Sequence, residues 1–219
     1  MKKRLIIGCG AMGGAILSGC LSHGVWEKGS VFLKEHNEEA GRDKAGRYGV
    51  NWSADGREAA EADTILLAVK HNILPEAAKA IGAFAPKGTV ISIAAAVTLE
   101  ELASYFPAGT RIVRVMPNTP VSVGEGYSAI AGGPAAQAED IEKAKAIFGT
   151  LGRTAVVNER QLDELGALSG AGPGYAFVII DALADAGVNI GLPRAVAIEA
   201  AAQTLYGAAK MGLETGKHP

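Results

Sequence analysis

Short continuous apolar runs alternate along the chain with stretches whose apolar residues recur at helical spacing. Residues 4–7, 30–34, 64–69, 89–93 and 111–116 read as strands. Residues 12–22, a polar stretch at 38–48, 75–84 and 99–106 read as the helices between them. The strand runs are unbroken and do not alternate with polar residues, which is the pattern of strands covered by helices on both faces. The strand–helix alternation therefore predicts an α/β fold with a doubly wound, Rossmann-type parallel sheet. A hairpin-like piece at 126–131, a helix near 138–149 and a last strand at 154–157 complete this part. The domain boundary is expected near Glu159, giving a dinucleotide-type domain over 1–158 and a smaller helical domain over 159–219.

Beyond that boundary the pattern is helical only, over 161–168, 175–190 and 194–211. The Gly-Ala-Gly-Pro-Gly run ending at Gly174 and the Gly191-Leu192-Pro193 turn separate the three. The third carries Ala195, Ala197, Ala200, Ala201, Ala202, Ala208 and Ala209 among larger apolar groups, so it is non-polar over much of its circumference. Such a helix needs burial on more than one side, which predicts a homodimer, or a higher homo-oligomer, built from like helical segments. Packing wholly against the chain's own sheet is the alternative.

Composition narrows the setting. With 219 residues, 48% of them hydrophobic and 20% charged, the chain can bury a substantial core. A net charge of −2 and the absence of a basic stripe give no footprint for nucleic acid. No secretory leader is read at the start, and no apolar stretch is read as approaching the roughly 20 residues that span a bilayer. These features predict a cytoplasmic protein with no membrane part. Cys9 and Cys20 read as buried thiols, and neither they nor the scattered histidines have metal-ligand spacing, so no metal site is expected.

The candidate chemistry starts at Gly8-Cys9-Gly10-Ala11-Met12-Gly13, between the first strand and the first helix. In this spacing the first glycine permits the turn, the second lets a pyrophosphate approach bare backbone, and the third lets helix and strand pack closely. The helix N-terminus adds unpaired N–H groups and partial positive charge. A dinucleotide cofactor follows, NADPH or NADH. The second strand ends Lys34-Glu35-His36, where Glu35 suits a ribose 2′-hydroxyl and Lys34 or His36 could meet a 2′-phosphate, so the choice stays open here. Ala68-Val69-Lys70 and Ala94-Ala95-Ala96 follow the third and fourth strand runs, at the carboxyl ends where open α/β sheets bind ligands. Asn118, between Pro117 and Pro120, is a candidate substrate-facing amide or else a turn former, and Lys70 is a candidate donor or else a structural side chain.

These stretches, with 92–102, 114–126, 168–175 and 182–211, resemble the pyrroline-5-carboxylate reductase family across the whole chain. The resemblance implies a Rossmann domain followed by a helical dimerisation domain, and NAD(P)H-dependent reduction of the C=N bond of 1-pyrroline-5-carboxylate to L-proline. It implies that residues 8–13 hold the pyrophosphate, that Glu35 and His36 lie by the adenosine ribose, that residues 68–70 and 94–96 border the nicotinamide, and that Asn118 faces the reacting centre. Such a reduction needs alignment and exclusion of water more than a strong side-chain acid, because the cyclic imine can be protonated before hydride arrives. His71 and Asn72, Ala96, Ala171 and Gly174 depart from the family's usual residues. The family continues through a Ser-Pro-Gly-Gly-Thr-Thr loop that binds the substrate carboxylate, whereas this sequence stops at Pro219, so the helical domain is expected to be truncated. Two other readings remain: a cofactor-binding, dimerising remnant, and a 3-hydroxy acid dehydrogenase. The latter lacks its lysine base, since no lysine lies between Lys145 and Lys210.

Overall fold

The computed structural model describes residues 2–218. Eight strands form one sheet in the order β3-β2-β1-β4-β5-β6-β7-β8. They are β1 (Lys3–Ile7), β2 (Val31–Lys34), β3 (Asn51–Trp52), β4 (Ala62–Leu67), β5 (Thr89–Ser92), β6 (Ile112–Pro117), β7 (Gly126–Gly132) and β8 (Gly152–Val156). Every neighbouring pair is parallel except β6–β7, which is antiparallel. The short β3 has no counterpart among the expected strands, because two residues are too few to show periodicity.

Five helices cover this sheet: α1 (Ala11–Ser22), α2 (Glu38–Tyr48), α3 (Leu74–Gly82), α4 (Leu99–Ser104) and α5 (Ala138–Phe148). One core joins Leu5, Ile65 and Val90 to Leu74, Ile81 and Leu102. The other joins Ile6, Leu66 and Ile91 to Ile16, Leu17 and Phe148. Successive residues of β1 and β4 thus feed opposite cores, which is why their sequences are continuously apolar. Local chemistry sets the helix starts: the Asn37 side chain accepts from Ala40 N at 2.8 Å, and Thr98 Oγ1 accepts from Glu101 N at 3.1 Å.

A sixth helix, α6 (Glu159–Leu165), opens on a reciprocal cap between Asn158 and Gln161, and a π-helical turn, Gly166–Gly170, follows it. By contact the chain divides after Gly170, later than the 158/159 boundary read from the sequence. The second unit holds α7 (Gly172–Asn189) and α8 (Arg194–Thr215), two helices packed together and tied by Arg194, which bonds both Asp181 and Asp185. Only Ala184, Ala197 and Ala201 are buried on this pair. Large apolar side chains stay open, among them Phe177 at 67%, Ile190 at 82% and Met211 at 68% exposure.

One expectation is corrected here. The stretch Glu159–Asn189, made of α6, the π-helical turn, a turn residue at Ala171 and α7, is 31 residues long and apolar enough to cross a membrane by length and composition. The Gly-Ala-Gly-Pro-Gly run read as a separator does hold a break, at Ala171 between the π-helical turn and α7. Pro173 sits in the first turn of α7, where its missing N–H costs no helical hydrogen bond.

Candidate functional site

The strand order reverses direction beside β1, whose neighbours are β2 and β4, and the crevice at their carboxyl ends is where the motif residues gather. Gly8 N donates to Lys34 O at 2.8 Å and Ala68 N to Ile7 O at 2.8 Å, which pins the three strand ends together.

The three motif glycines are distinguished by what a side chain would meet. Gly8 has φ +88°, and a Cβ there would lie 2.7 Å from Ala68 O and 2.8 Å from Val69 Cγ1. At Gly13 a Cβ would lie 2.5 Å from Gly8 O, so the α1 helix sits against the turn as only glycine allows. At Gly10 a Cβ would meet nothing within 4 Å. The turn is therefore tight on its protein side and open above Gly10, directly before α1, whose N-terminus receives no side-chain cap. Cradle and helix end together fit a pyrophosphate. Cys9, between the first two glycines, is 5% exposed, and burial pushes its thiol pKa up against the opposing pull of Lys44, so it acts as a packed neutral group. Cys20 is buried more deeply and is pushed up to about 12. Ala11 is exposed and Met12 half-buried on the first turn of α1.

Beside the turn lies a cavity of about 160 Å³. Its lining combines the polar Lys34, Glu35, His36 and Glu76 with the apolar Val69, Ile73 and Ala77. Glu35 is fixed in place: its Oε1 accepts from Cys9 N at 2.7 Å and from Lys44 Nζ at 2.6 Å. Lys34 also lines the cavity, its Nζ donating to Ala54 O at 3.2 Å, and His36 is exposed.

After β4, Ala68 and Val69 are half-buried and Lys70 is exposed, its carbonyl accepting from Ile73 N and Leu74 N at the entry to α3. After β5, Ala94 is buried and Ala95 and Ala96 form an exposed turn. Ala96 has φ +59°, a left-handed conformation that strains a residue bearing a Cβ. Ala96→Gly is expected to stabilise the fold by about 0.5–1 kcal/mol, after allowing for the greater freedom of glycine in the unfolded chain. Urea unfolding, with the midpoint rising at unchanged slope, is the check.

Asn118 is engaged at both ends of its amide. Oδ1 accepts from Tyr127 N at 2.8 Å, and Nδ2 donates to Ser169 O at 3.0 Å. It joins the loop after β6 to β7 and to the π-helical turn, and this geometry differs from a free amide facing a reacting centre. Sequence reasoning missed the residues that hold this corner. Arg114 of β6 is 1% exposed and bonds Glu159 at 3.0 Å and Asp163 at 2.7 Å, both on α6. Glu159 Oε1 also accepts from Leu99 N at 2.6 Å, at the start of α4. A charged residue inside the apolar run Ile112-Val113-Arg114-Val115 was the available signal, since such a group is buried only with partners.

Comparison with known proteins joins these two parts. The family model for pyrroline-5-carboxylate reductase dimerisation matches residues 159–219, and that for NADP oxidoreductase, coenzyme F420-dependent, matches residues 4–96. A pyrroline-5-carboxylate reductase of Corynebacterium melassecola is 36% identical over 224 aligned positions, covering 100% of this chain and 83% of that protein. The solved pyrroline-5-carboxylate reductase of Coxiella burnetii matches with TM-score 0.92 at 30% identity, over 99% of this chain and 82% of that one. The Plasmodium falciparum pyrroline carboxylate reductase, solved with NADP bound, matches with TM-score 0.83 at 28% identity, over 96% of this chain and 78% of that one. Because the identity runs through the sheet and the helices alike, the reading as a 3-hydroxy acid dehydrogenase is set aside. A glycine cradle at the strand crossover, a helical segment of the matching dimerisation type and 36% identity over the whole of this chain together place it in the pyrroline-5-carboxylate reductase family of NAD(P)H-dependent oxidoreductases.

Proposed function

We propose that the crevice beside β1 holds NAD(P)H for reduction of the C=N bond of 1-pyrroline-5-carboxylate to L-proline. The observation that carries this reading is the open space above Gly10, bounded by glycines that the protein itself requires on either side. When bound, the cofactor supplies the hydride.

The chain's own residues position and exclude. The backbone from Gly8 to Gly13 and the α1 N-terminus receive the pyrophosphate. Glu35 and His36 line the ribose, while Val69, Ile73 and Ala77 offer an apolar wall to the adenine. Ala68, Val69 and Lys70 and the small residues Ala94, Ala95 and Ala96 border the nicotinamide half. Asn118 acts as a positioning residue: its two internal hydrogen bonds hold the loop after β6 against the turn that carries Ser169. The imine nitrogen needs no dedicated acid if substrate enters protonated, which agrees with a site built from backbone and small side chains.

The exposed apolar side chains of α7 and α8 are assigned to a homodimer or a larger homo-oligomer, with a second copy covering what a two-helix unit cannot bury alone. Buried thiols at Cys9 and Cys20 fit a reducing, cytoplasmic setting. The test is to mix the purified chain with 1-pyrroline-5-carboxylate and either reduced cofactor, following loss of the reduced nicotinamide and appearance of proline. A folded protein that oxidises neither cofactor would overturn the reading. Sedimentation of the same preparation is expected to show no compact monomer at high concentration.

A further inference from the structure

We propose that Glu35 makes this chain favour NADH over NADPH. The inference rests on the cofactor site proposed above and sharpens its ligand.

Glu35 directly follows β2, and the bond from Gly8 N to Lys34 O holds that strand end level with the glycine turn. Its carboxylate is not a mobile surface group, since its side chain is 17% exposed and Oε1 is held by Cys9 N and Lys44 Nζ. Both bonds use the same oxygen, so Oε2 has no partner among the described residues. An anchored carboxylate with one oxygen to spare, in the wall of the adenosine cavity, suits the paired hydroxyls of an unmodified ribose. A 2′-phosphate would add a charge of about −1.5 to −2 beside it.

The nearby cations do not reverse this balance. Lys34 bonds Ala54 O, Lys44 bonds the carboxylate itself, and Arg47 bonds Asp43. The cavity lining also holds Lys34 and His36, opposed there by the two acids Glu35 and Glu76. The sequence left Glu35 set against Lys34 or His36, and the side-chain geometry separates Glu35, anchored on Cys9 N, from Lys34, bonded to Ala54 O.

The experiment titrates the full chain with 5′-AMP and with adenosine 2′,5′-bisphosphate at fixed ionic strength, and measures kcat/KM with NADH and NADPH. Wild type is expected to favour 5′-AMP and NADH by about tenfold or more, the scale of a hydrogen bond to a charged group. Glu35→Gln keeps the acceptor for Cys9 N and removes the charge, so its preference should fall towards unity through tighter binding of the 2′-phosphorylated ligand. Equal or reversed preference in wild type overturns the inference, and needs no variant to fold. Selective loss of the bisphosphate in Lys44→Ala also overturns it, because Lys44 would then be the phosphate's partner. Failure of wild type to bind either nucleotide overturns the underlying cofactor site as well.

Discussion

Gly10→Val is expected to leave the fold intact and to weaken dinucleotide binding by about a hundredfold or more, the loss expected when a branched side chain fills the space a ligand must occupy. The backbone at Gly10 is extended, with φ −73° and ψ −163°, and a Cβ there meets no protein atom within 4 Å. Valine is a poorer helix N-cap than glycine, which sets the stability loss at about 1 kcal/mol or less. Gly13→Ala is the informative contrast. Its Cβ would stand 2.5 Å from Gly8 O, a backbone atom that cannot rotate away, so it should cost about 1–3 kcal/mol in stability even without ligand. Thermal unfolding paired with a fluorescence titration of NADH separates the two. Comparable stability losses in both variants would mean that the space above Gly10 is not reserved for a ligand.

The second large effect concerns Arg114. Arg114→Ala should destabilise the fold by about 3 kcal/mol, the lower end for breaking a buried ion pair, because Glu159 and Asp163 keep 33% and 55% exposure and can be partly resolvated. The loss has three parts: an unfilled volume on β6, a weakened attachment of α6, and a disturbed Glu159 acceptor at Leu99 N. Arg114→Met retains most of the packing and should cost about half as much. Urea unfolding ranks the two variants, and equal losses would show that the ion pairs, not the packed stem, carry the effect. In the assay with 1-pyrroline-5-carboxylate, Arg114→Met is expected to lower kcat while leaving the KM for cofactor nearly unchanged. Arg114 supports the side of the sheet that carries Asn118 and Ser169, whereas the glycine turn lies across β4 and β5.

Much of this architecture is legible in local pattern. Continuous apolar strands separated by amphipathic helices mark a sheet covered on both faces, and the residues 5–7 run ending in glycines marks the strand from which the cradle hangs. Caps at Asn37 and Thr98 are equally local, since each side chain serves an N–H three residues on. The Gly-Ala-Gly-Pro-Gly separator was legible as well, since Ala171 is a turn residue and Pro173 sits in the first turn of α7. Asn118 and Arg114 were legible as unusual residues but not as bonded ones. Their partners lie 51 residues away at Ser169 and 45 residues away at Glu159.

Residue order alone thus settles the strand–helix alternation, the glycine spacing and hence the class of ligand, because periodicity and backbone permissiveness act over a few neighbouring residues. Tertiary structure decided which side chains are available for chemistry. Glu35 and Lys34 are adjacent in the chain and alike in polarity, yet one is anchored on Cys9 N and the other is drawn to Ala54 O. Asn118 bonds Tyr127 N and Ser169 O, the latter on a segment distant in sequence. A hydrogen bond depends on distance in space to about an ångström, and only the assembled sheet brings such partners within that range.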